Sequence, residues 1–468
     1  MKRFLLGLLL VWGHTSFAKI WTSSVISDGM VLQRNTSVTI WGWTSETIEP
    51  ITVIGSWDNV PVTQNAYQGK WSVQLPTPDA GGPYTVTIKG HEAIILSNVL
   101  IGEVWIASGQ SNMEWTASNG ITNAKEEINN AVYPNIRLFN VPKHQSASRQ
   151  NDTKGNWTEC SPNTMKDFSA VAYFFGRELH KELNIPIGLI NSSWGGTRAE
   201  VWFNANYLKS KPHLVESKTH FTENKWHTAE PGYMFNAMVA PLIPFKIAGA
   251  IWYQGEANRV SPHIYKDVLS ALIENWRAEW GYNFPFYFVQ IAPFNYKEKH
   301  AGVLIREAQL KTFKDVYNTG MVVVSDIGNI NNIHPKNKQD VGKRLAQWAL
   351  TKNYNDKGKA FSGPIYREVK KEGQKMVIYF DYAEDGLMKN GDELTEFEIC
   401  GADKIFIKAR AKIKGDIVMV WHNKIKNPLA VRFAWNNKAE PNLYNKAGLP
   451  ASCFRTDDWD IQIEQNNE

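Results

Sequence analysis

The chain has 468 residues, 43% of them hydrophobic and 21% charged, with a formal net charge of +5. That length supplies core material for two to four domains of roughly 100–200 residues, and the composition excludes a disordered chain, a collagen-like fibre and a disulfide-stapled miniprotein. Basic and acidic residues alternate along most of the chain, and no Lys/Arg block has the density of a nucleic-acid patch, so no nucleic-acid partner is expected. Aromatic residues reach 12%, with 19 Trp. They serve either aromatic cores or flat platforms for a ligand such as a sugar ring.

Met1-Lys2-Arg3, the apolar run from Phe4 to Trp12, and Ser16-Phe17-Ala18 before Lys19 predict a signal peptide over 1–18. The mature protein is expected to be exported, periplasmic or secreted. The position after the cut is Lys19 and not Cys, which argues against a lipid anchor. The apolar run is too short to cross a bilayer, and no later stretch of about 18 apolar residues follows, so no membrane span is predicted. The three cysteines, Cys160, Cys400 and Cys453, allow at most one bridge and have no metal-ligand spacing. The triplet Asn156-Trp157-Thr158 matches a glycosylation acceptor, whose use depends on the source of the chain.

Residues 19–98 predict a small β-sandwich. Strand-like text at 38–43, 51–54, 71–75 and 84–88 is separated by Gly-containing turns. From 99 to 355 continuous apolar strands at 104–107, 187–190, 248–253, 286–290 and 321–325 alternate with helical stretches. One helix is capped by Ser169 and another spans 264–280. This alternation predicts an α/β domain with a parallel sheet. Residues 356–468 return to strand text, at 376–380, 405–407 and 417–421, and predict a C-terminal β module.

In open α/β sheets ligands bind beyond the carboxyl ends of the strands. Four such ends carry clustered Gly and polar residues: Gly109-Gln110-Ser111-Asn112, Trp194-Gly195-Gly196-Thr197-Arg198, Gln254-Gly255-Glu256, and Asp326 onward to Asn331-Asn332-Ile333-His334. The set suits acyl transfer, with Ser111 as nucleophile and His334 as general base. Backbone N–H groups at Gly195-Gly196 and the Gln254 amide would serve as oxyanion donors. Singly, each has a plainer role. Ser111 could cap a turn, His334 could be a loop residue, the glycines could only permit a turn, and Glu256 could pair with Arg198. Their joint placement at four strand ends favours catalysis. There is no His-Glu-x-x-His, no Walker loop and no Gly-x-Gly-x-x-Gly.

At these residues the sequence resembles the sialate O-acetylesterases, members of the SGNH hydrolases and their carbohydrate acetylesterase relatives. The resemblance lies in Gly109-Gln110-Ser111-Asn112-Met113-Glu114, Trp194-Gly195-Gly196-Thr197, Trp252-Tyr253-Gln254-Gly255-Glu256 and Ile333-His334-Pro335-Lys336-Asn337-Lys338. Further matches are Asp28-Gly29-Met30-Val31-Leu32-Gln33, Asn442-Leu443-Tyr444-Asn445 and Gly448-Leu449-Pro450-Ala451-Ser452. It implies an SGNH-type three-layer α/β/α domain flanked by the two β modules. It also implies hydrolysis of O-acetyl esters on carbohydrates through an acetyl-serine, without a metal or other cofactor. Ser111 and His334 would be catalytic, with the Ser111 N–H, the Gly196 N–H and the Gln254 side chain as oxyanion donors. Asn112, Trp194, Arg198 and Glu256 are candidate substrate contacts.

Two departures stand out. Many SGNH enzymes carry Asp three residues before the His, where this chain has Asn331. The His-orienting role is therefore left to Asn331, Asp326, a backbone carbonyl or no group at all. Between Trp202 and Met234 the chain has only a short polar segment, including His213, His220 and His227, where relatives often carry a longer insertion. O-acetylated sialic acid is the expected substrate. The alternatives are an acetylxylan or other plant-glycan deacetylase and, from a different class, a non-catalytic glycan-binding protein. The sequence does not determine the oligomeric state.

Overall fold

The computed structural model describes residues 19–215, 229–356 and 358–461. The predicted signal peptide, His220 and His227 lie outside the described residues. The N-terminal strand text folds as two facing sheets. Thr36–Thr44 pairs antiparallel with Ile20–Thr22 and with Lys70–Thr77. Lys70–Thr77 alternates exposed and buried, placing Trp71, Val73 and Leu75 inward as its period of two requires. In the second sheet Pro50–Gly55 lies between Pro61–Asn65 and Gly81–Lys89. Ile40, Val53, Val73 and Ile88, drawn from both sheets, are completely buried in one core.

Gly81–Lys89 then pairs with β1 (Ala93–Gly109), a strand of 17 residues. The first part of β1 completes the second sheet, and every residue from Val99 to Gly109 is buried in the α/β sheet. The division expected near residue 99 therefore falls inside a strand, and the two parts share a rigid element in place of a linker.

The α/β sheet adds β2 (Tyr133–Asn140), β3 (Trp157–Cys160), β4 (Ile187–Ser193), β5 (Gly249–Tyr253), β6 (Phe286–Val289) and β7 (Thr319–Val322), in the order β3-β2-β4-β1-β5-β6-β7. All neighbours are parallel except β3, which pairs antiparallel with β2 at the edge. β2 has no apolar run to predict it, because it carries Pro134 and Arg137. The Arg137 guanidinium is nonetheless buried, donating to the carbonyls of Pro134 and Gly29 and to Asn98 Oδ1.

The principal helices are α1 (Ser111–Glu114), α2 (Ala170–Leu183), α3 (Tyr265–Trp280), α4 (Ala301–Asp315) and α5 (Lys338–Asn353). Side chains alternate across the strands. Trp105, Ala107, Tyr253 and Tyr287 join the core of α2 and α5, whereas Ile106, Trp252, Phe286 and Phe288 join that of α3 and α4. Helices thus cover both faces of the sheet. Ser169 caps α2, its hydroxyl accepting from the Ala172 N–H.

The C-terminal part forms small antiparallel sheets, two of them four-stranded. The strand expected at 405–407 shrinks to Ile407–Lys408, since Ile405 is 64% exposed and has no sheet face to bury against. This part is tied to the α/β core by the buried Gln290–Ser452 bond and by Arg455 on Glu307. All three cysteines are buried free thiols, so no bridge forms. Among the described residues no helix is long and apolar enough to cross a membrane.

Candidate active site

Parallel strands carry their carboxyl ends to one edge of the sheet, so β1, β4, β5 and β7 deliver the four polar blocks to the same place. The turn out of β1 depends on Gly109. Its φ is +136°, and a Cβ there would lie 2.3 Å from the Tyr253 carbonyl oxygen. The Gln110 N–H donates to that carbonyl and the Trp194 N–H to the Gly109 carbonyl, stitching the three strand ends together. Ser111 therefore occupies the first position of α1, on a framework fixed by backbone bonds.

The His334 Nε2 lies 2.8 Å from the Ser111 Oγ. The loop after β7 brings it there, and the His334 N–H donates to Asn332 Oδ1 at 2.9 Å. The imidazole stacks on Trp115, with ring centroids 4.3 Å apart and planes 20° from parallel. Burial, followed by the nearby Lys338 cation, lowers the His334 pKa, and the Glu114 carboxylate opposes them. A base kept neutral close to a serine hydroxyl is the arrangement that nucleophile activation needs.

Neither candidate orienting group reaches the ring. Both carboxylate oxygens of Asp326 bind the Arg344 guanidinium, at 2.7 and 2.6 Å. Asn331 is exposed, and its N–H donates to Asn329 Oδ1. Among the described residues the imidazole has one hydrogen-bond partner, Ser111.

The glycine turn after β4 lies against the serine. A Cβ on Gly195 would be 3.3 Å from the Ser111 Cβ. The Gly195 N–H donates to Glu114 Oε2 at 2.5 Å, and the other carboxylate oxygen of Glu114 is bound by Lys143. Gly196 is exposed with φ +76°. Among the described residues the N–H groups of Ser111 and Gly196 have no acceptor. Gln254 is turned the other way. It is fully buried, its amide N–H groups donate to Asn258 Oδ1 at 2.7 Å and Thr197 O at 3.3 Å, and its Oε1 accepts from the Tyr265 hydroxyl at 2.8 Å.

The candidate substrate contacts divide in the same way. Asn112 is completely buried. Its Nδ2 donates to Glu256 Oε1 at 2.7 Å and to the Ile333 carbonyl at 3.0 Å, and its Oδ1 accepts from Lys338 Nζ at 2.6 Å. Glu256 thus pairs with Asn112 and not with Arg198. Burial raises its carboxyl pKa, opposed by the bond from Asn112 and the charge of Lys338. Burial likewise pushes the Lys338 amine down to about 7. Arg198 is itself buried and donates to Ser261 and Glu200. Trp194 is half-buried beside the glycine turn. Asn112, Glu256 and Arg198 therefore hold the framework and do not face a ligand.

Sequence reasoning missed the roles of Glu114 and Lys338, and it offered Trp115 as a pocket wall or sugar platform where the structure stacks it on His334. The signals for the first two were spacing: Glu114 follows Ser111 by three, and Lys338 follows His334 by four. Trp105 and Trp252, which lie in strands leading to the polar blocks, have no exposed surface and belong to the core. Trp105 donates to the Tyr354 hydroxyl, and Trp252 packs between Trp202 and Trp276. Among the described residues no group of three or more His, Cys, Asp or Glu is placed to hold a metal ion.

Residues 101–351 match the family model described as carbohydrate esterase, sialic acid-specific acetylesterase. The chain belongs to this family. It is 29% identical to the human sialate O-acetylesterase over 479 residues, covering 92% of this chain and 91% of that protein. The mouse sialate O-acetylesterase is 28% identical, with 88% and 89% covered. Among solved structures, a carbohydrate acetylesterase from Xanthomonas citri superposes with a TM-score of 0.86 at 36% identity, covering 94% of this chain and all of that one. The protein is accordingly a carbohydrate esterase.

Proposed function

We propose that this protein is an exported serine esterase that removes O-acetyl groups from carbohydrates through an acetyl-serine intermediate. The observation that carries the reading is the 2.8 Å contact between Ser111 Oγ and His334 Nε2 at the edge where the glycine turn meets α1. In this mechanism Ser111 Oγ attacks the acetyl carbonyl carbon while His334 Nε2 accepts the hydroxyl proton. The oxyanion is held by the N–H groups of Ser111 and Gly196, each such donor typically contributing about 3–4 kcal/mol to transition-state stabilisation. The sugar oxygen leaves as its C–O bond to the acetyl group breaks, taking the proton from His334. Water, deprotonated by His334, then attacks the acetyl-serine, and acetate departs as Ser111 regains its proton.

The names of the human and mouse relatives support O-acetylated sialic acid as the substrate. A second reading, acetate on a neutral glycan, is favoured by the two arginines nearest the oxyanion blocks. Arg198 is engaged with Glu200 and Ser261, and Arg259 is paired with Glu298. Neither is set aside for a substrate carboxylate. Ser111→Ala should abolish acetate release from both substrates while leaving the circular dichroism spectrum unchanged. Full activity in that variant would overturn the mechanism, and the relative rates on acetylated sialic acid and acetylated xylan decide between the two substrates.

A further inference from the structure

We infer that the groove between the N-terminal sandwich and the α/β part is a second carbohydrate site, which holds the chain of an oligo- or polysaccharide while an acetyl group reaches Ser111. The inference rests on the carbohydrate-esterase reading and names its substrate class: a glycan chain rather than a free monosaccharide.

The groove encloses about 780 Å³, within the ~300–1,000 Å³ range of ligand sites. Trp43, Tyr67, Gln64, Gln68 and Lys70 form its sandwich wall. Residues 149–151 form the opposite wall, and Pro241 and Pro244 complete it. Its aromatic lining is Trp41, Trp43, Tyr67 and Trp71. Of these rings Tyr67 is 68% exposed and Trp43 is half-buried, while Trp41 and Trp71 are buried beneath them; Trp21, outside the lining, stacks on Trp43 with centroids 6.4 Å apart. The Trp43 backbone is fixed from below, since its carbonyl accepts from the buried Trp71 indole at 3.1 Å. A braced, half-exposed indole of this kind offers a rigid flat surface to the C–H face of a pyranose.

The polar lining has the complementary chemistry. The side-chain amides of Gln64, Asn65, Gln68 and Asn151 make no hydrogen bond among the described residues. Each carries both donors and an acceptor, as vicinal hydroxyls require. Arg149 is already paired with Glu279. Rings flanked by amides, with no concentrated charge, fit a sugar better than a phosphate or an acidic peptide.

One loop connects the groove to the catalytic edge. Lys143 holds Glu114 beside Ser111, and six residues later Arg149 lines the groove. Six residues span at most about 20 Å. That bound separates Lys143 from Arg149, and a polymer held in the groove and long enough to continue past Lys143 and Glu114 would have its acetyl groups raised in effective concentration at Ser111.

The test uses full-length protein carrying Ser111→Ala, so that binding is read without turnover. Native affinity electrophoresis is run in gels containing a neutral xylan or a sialylated mucin. Retardation in at least one polymer is expected, and the responsive polymer identifies the source of the glycan. Adding Tyr67→Ala and Gln68→Ala, both exposed, should weaken retardation, and adding Trp43→Ala should weaken it by about tenfold. In the Ser111 parent, the same groove substitutions should leave hydrolysis of p-nitrophenyl acetate unchanged and raise KM for acetylated polymer without changing kcat. No retardation in either polymer, or retardation insensitive to all three groove substitutions, overturns the inference. Retardation by a protein that releases no acetate from any glycan would retain the groove and remove the catalytic reading.

Discussion

Lys338→Met separates stability from catalysis in a way that can be worked through from the site. Burial places the Lys338 amine at about 7, against an ordinary value of 10.5. Below pH 7 both folded and unfolded chains carry the proton, so the folded state bears the full cost of the buried ammonium. Between pH 7 and 10.5 only the unfolded chain keeps it. The unfolded state then binds more protons, and stability rises with pH. Above 10.5 the cost has gone. The difference of 3.5 units corresponds to about 5 kcal/mol as an upper bound, at ~1.36 kcal/mol per unit. Methionine fills the same space without the charge. Lys338→Met should therefore be more stable than the parent at pH 6, by several degrees in Tm, and the gap should close towards pH 10.

Catalysis should move the other way. Without the Lys338 ammonium, nothing holds Asn112 Oδ1, and the amide can rotate away from the Ile333 carbonyl that precedes His334. A loosened base should lower kcat/KM by about 10–100-fold. The Lys338 charge also depresses His334, so its removal should raise the His334 pKa and move the acid limb of the pH–rate profile to higher pH. Thermal melts from pH 6 to 10 and kcat/KM from pH 4.5 to 9 make the two measurements. A variant less stable than the parent at pH 6, or one whose acid limb and rate match the parent, would refute the reasoning.

Glu114→Gln should shift the acid limb to lower pH, opposite to Lys338→Met, because the Glu114 carboxylate raises His334. Its kcat/KM should also fall by about tenfold, as the Lys143 ion pair is lost and the hold on Gly195 weakens; an acid limb unchanged from the parent would remove the electrostatic role. Gln254→Ala should lower stability by about 2–4 kcal/mol in denaturant titrations, since three buried bonds lose their partner. A parent-like midpoint with a large loss of kcat would instead restore Gln254 as an oxyanion donor. Reducing agent should leave Tm unchanged, because Cys160, Cys400 and Cys453 are free. Burial pushes the Cys160 thiol up to about 12, so alkylation there should require unfolding.

The parts of the fold legible in the sequence were those whose side chains repeat with a physical period. The sandwich strands, the five buried parallel strands and the Ser169-capped helix each carried such a pattern. β2 did not, because its Arg137 is satisfied by carbonyls distant in sequence, which a local window cannot register. Tryptophan was ambiguous for a related reason. Trp41 and Trp43 lie two apart on one strand and both line the groove, yet Trp41 is buried against Phe245 and Trp43 is only half-buried, so one ring serves the core and the groove together. At the site, Ser111 and His334 were legible from strand-end placement and family resemblance. The directions of Gln254, Glu256 and Arg198 were not. A side chain at a strand end can face the ligand or brace the loop below it, and burial alone decides which.

The same distinction bears on how the proposed serine–histidine pair would work with no aspartate hydrogen-bonded to the imidazole among the described residues. An aspartate in that position does two things: it fixes the ring and it stabilises the imidazolium. In this site the tasks are divided. Trp115 sets the plane of the ring, Asn332 holds the His334 N–H, and the Lys338–Asn112 contact secures the Ile333 carbonyl one residue earlier. Charge comes from Glu114, which acts through space and also binds the Gly195 N–H. In the proposed mechanism the imidazolium and the oxyanion form together. A single carboxylate on α1 is then coupled to both, through its field at the ring and through its bond to the turn that presents Gly196. Asp326 is bound through both carboxylate oxygens to Arg344 and has no hydrogen bond to the ring. In the proposed mechanism the order imposed on His334 by neighbours that are not hydrogen-bonded to its ring would let the exposed Asn331 stand aside from catalysis.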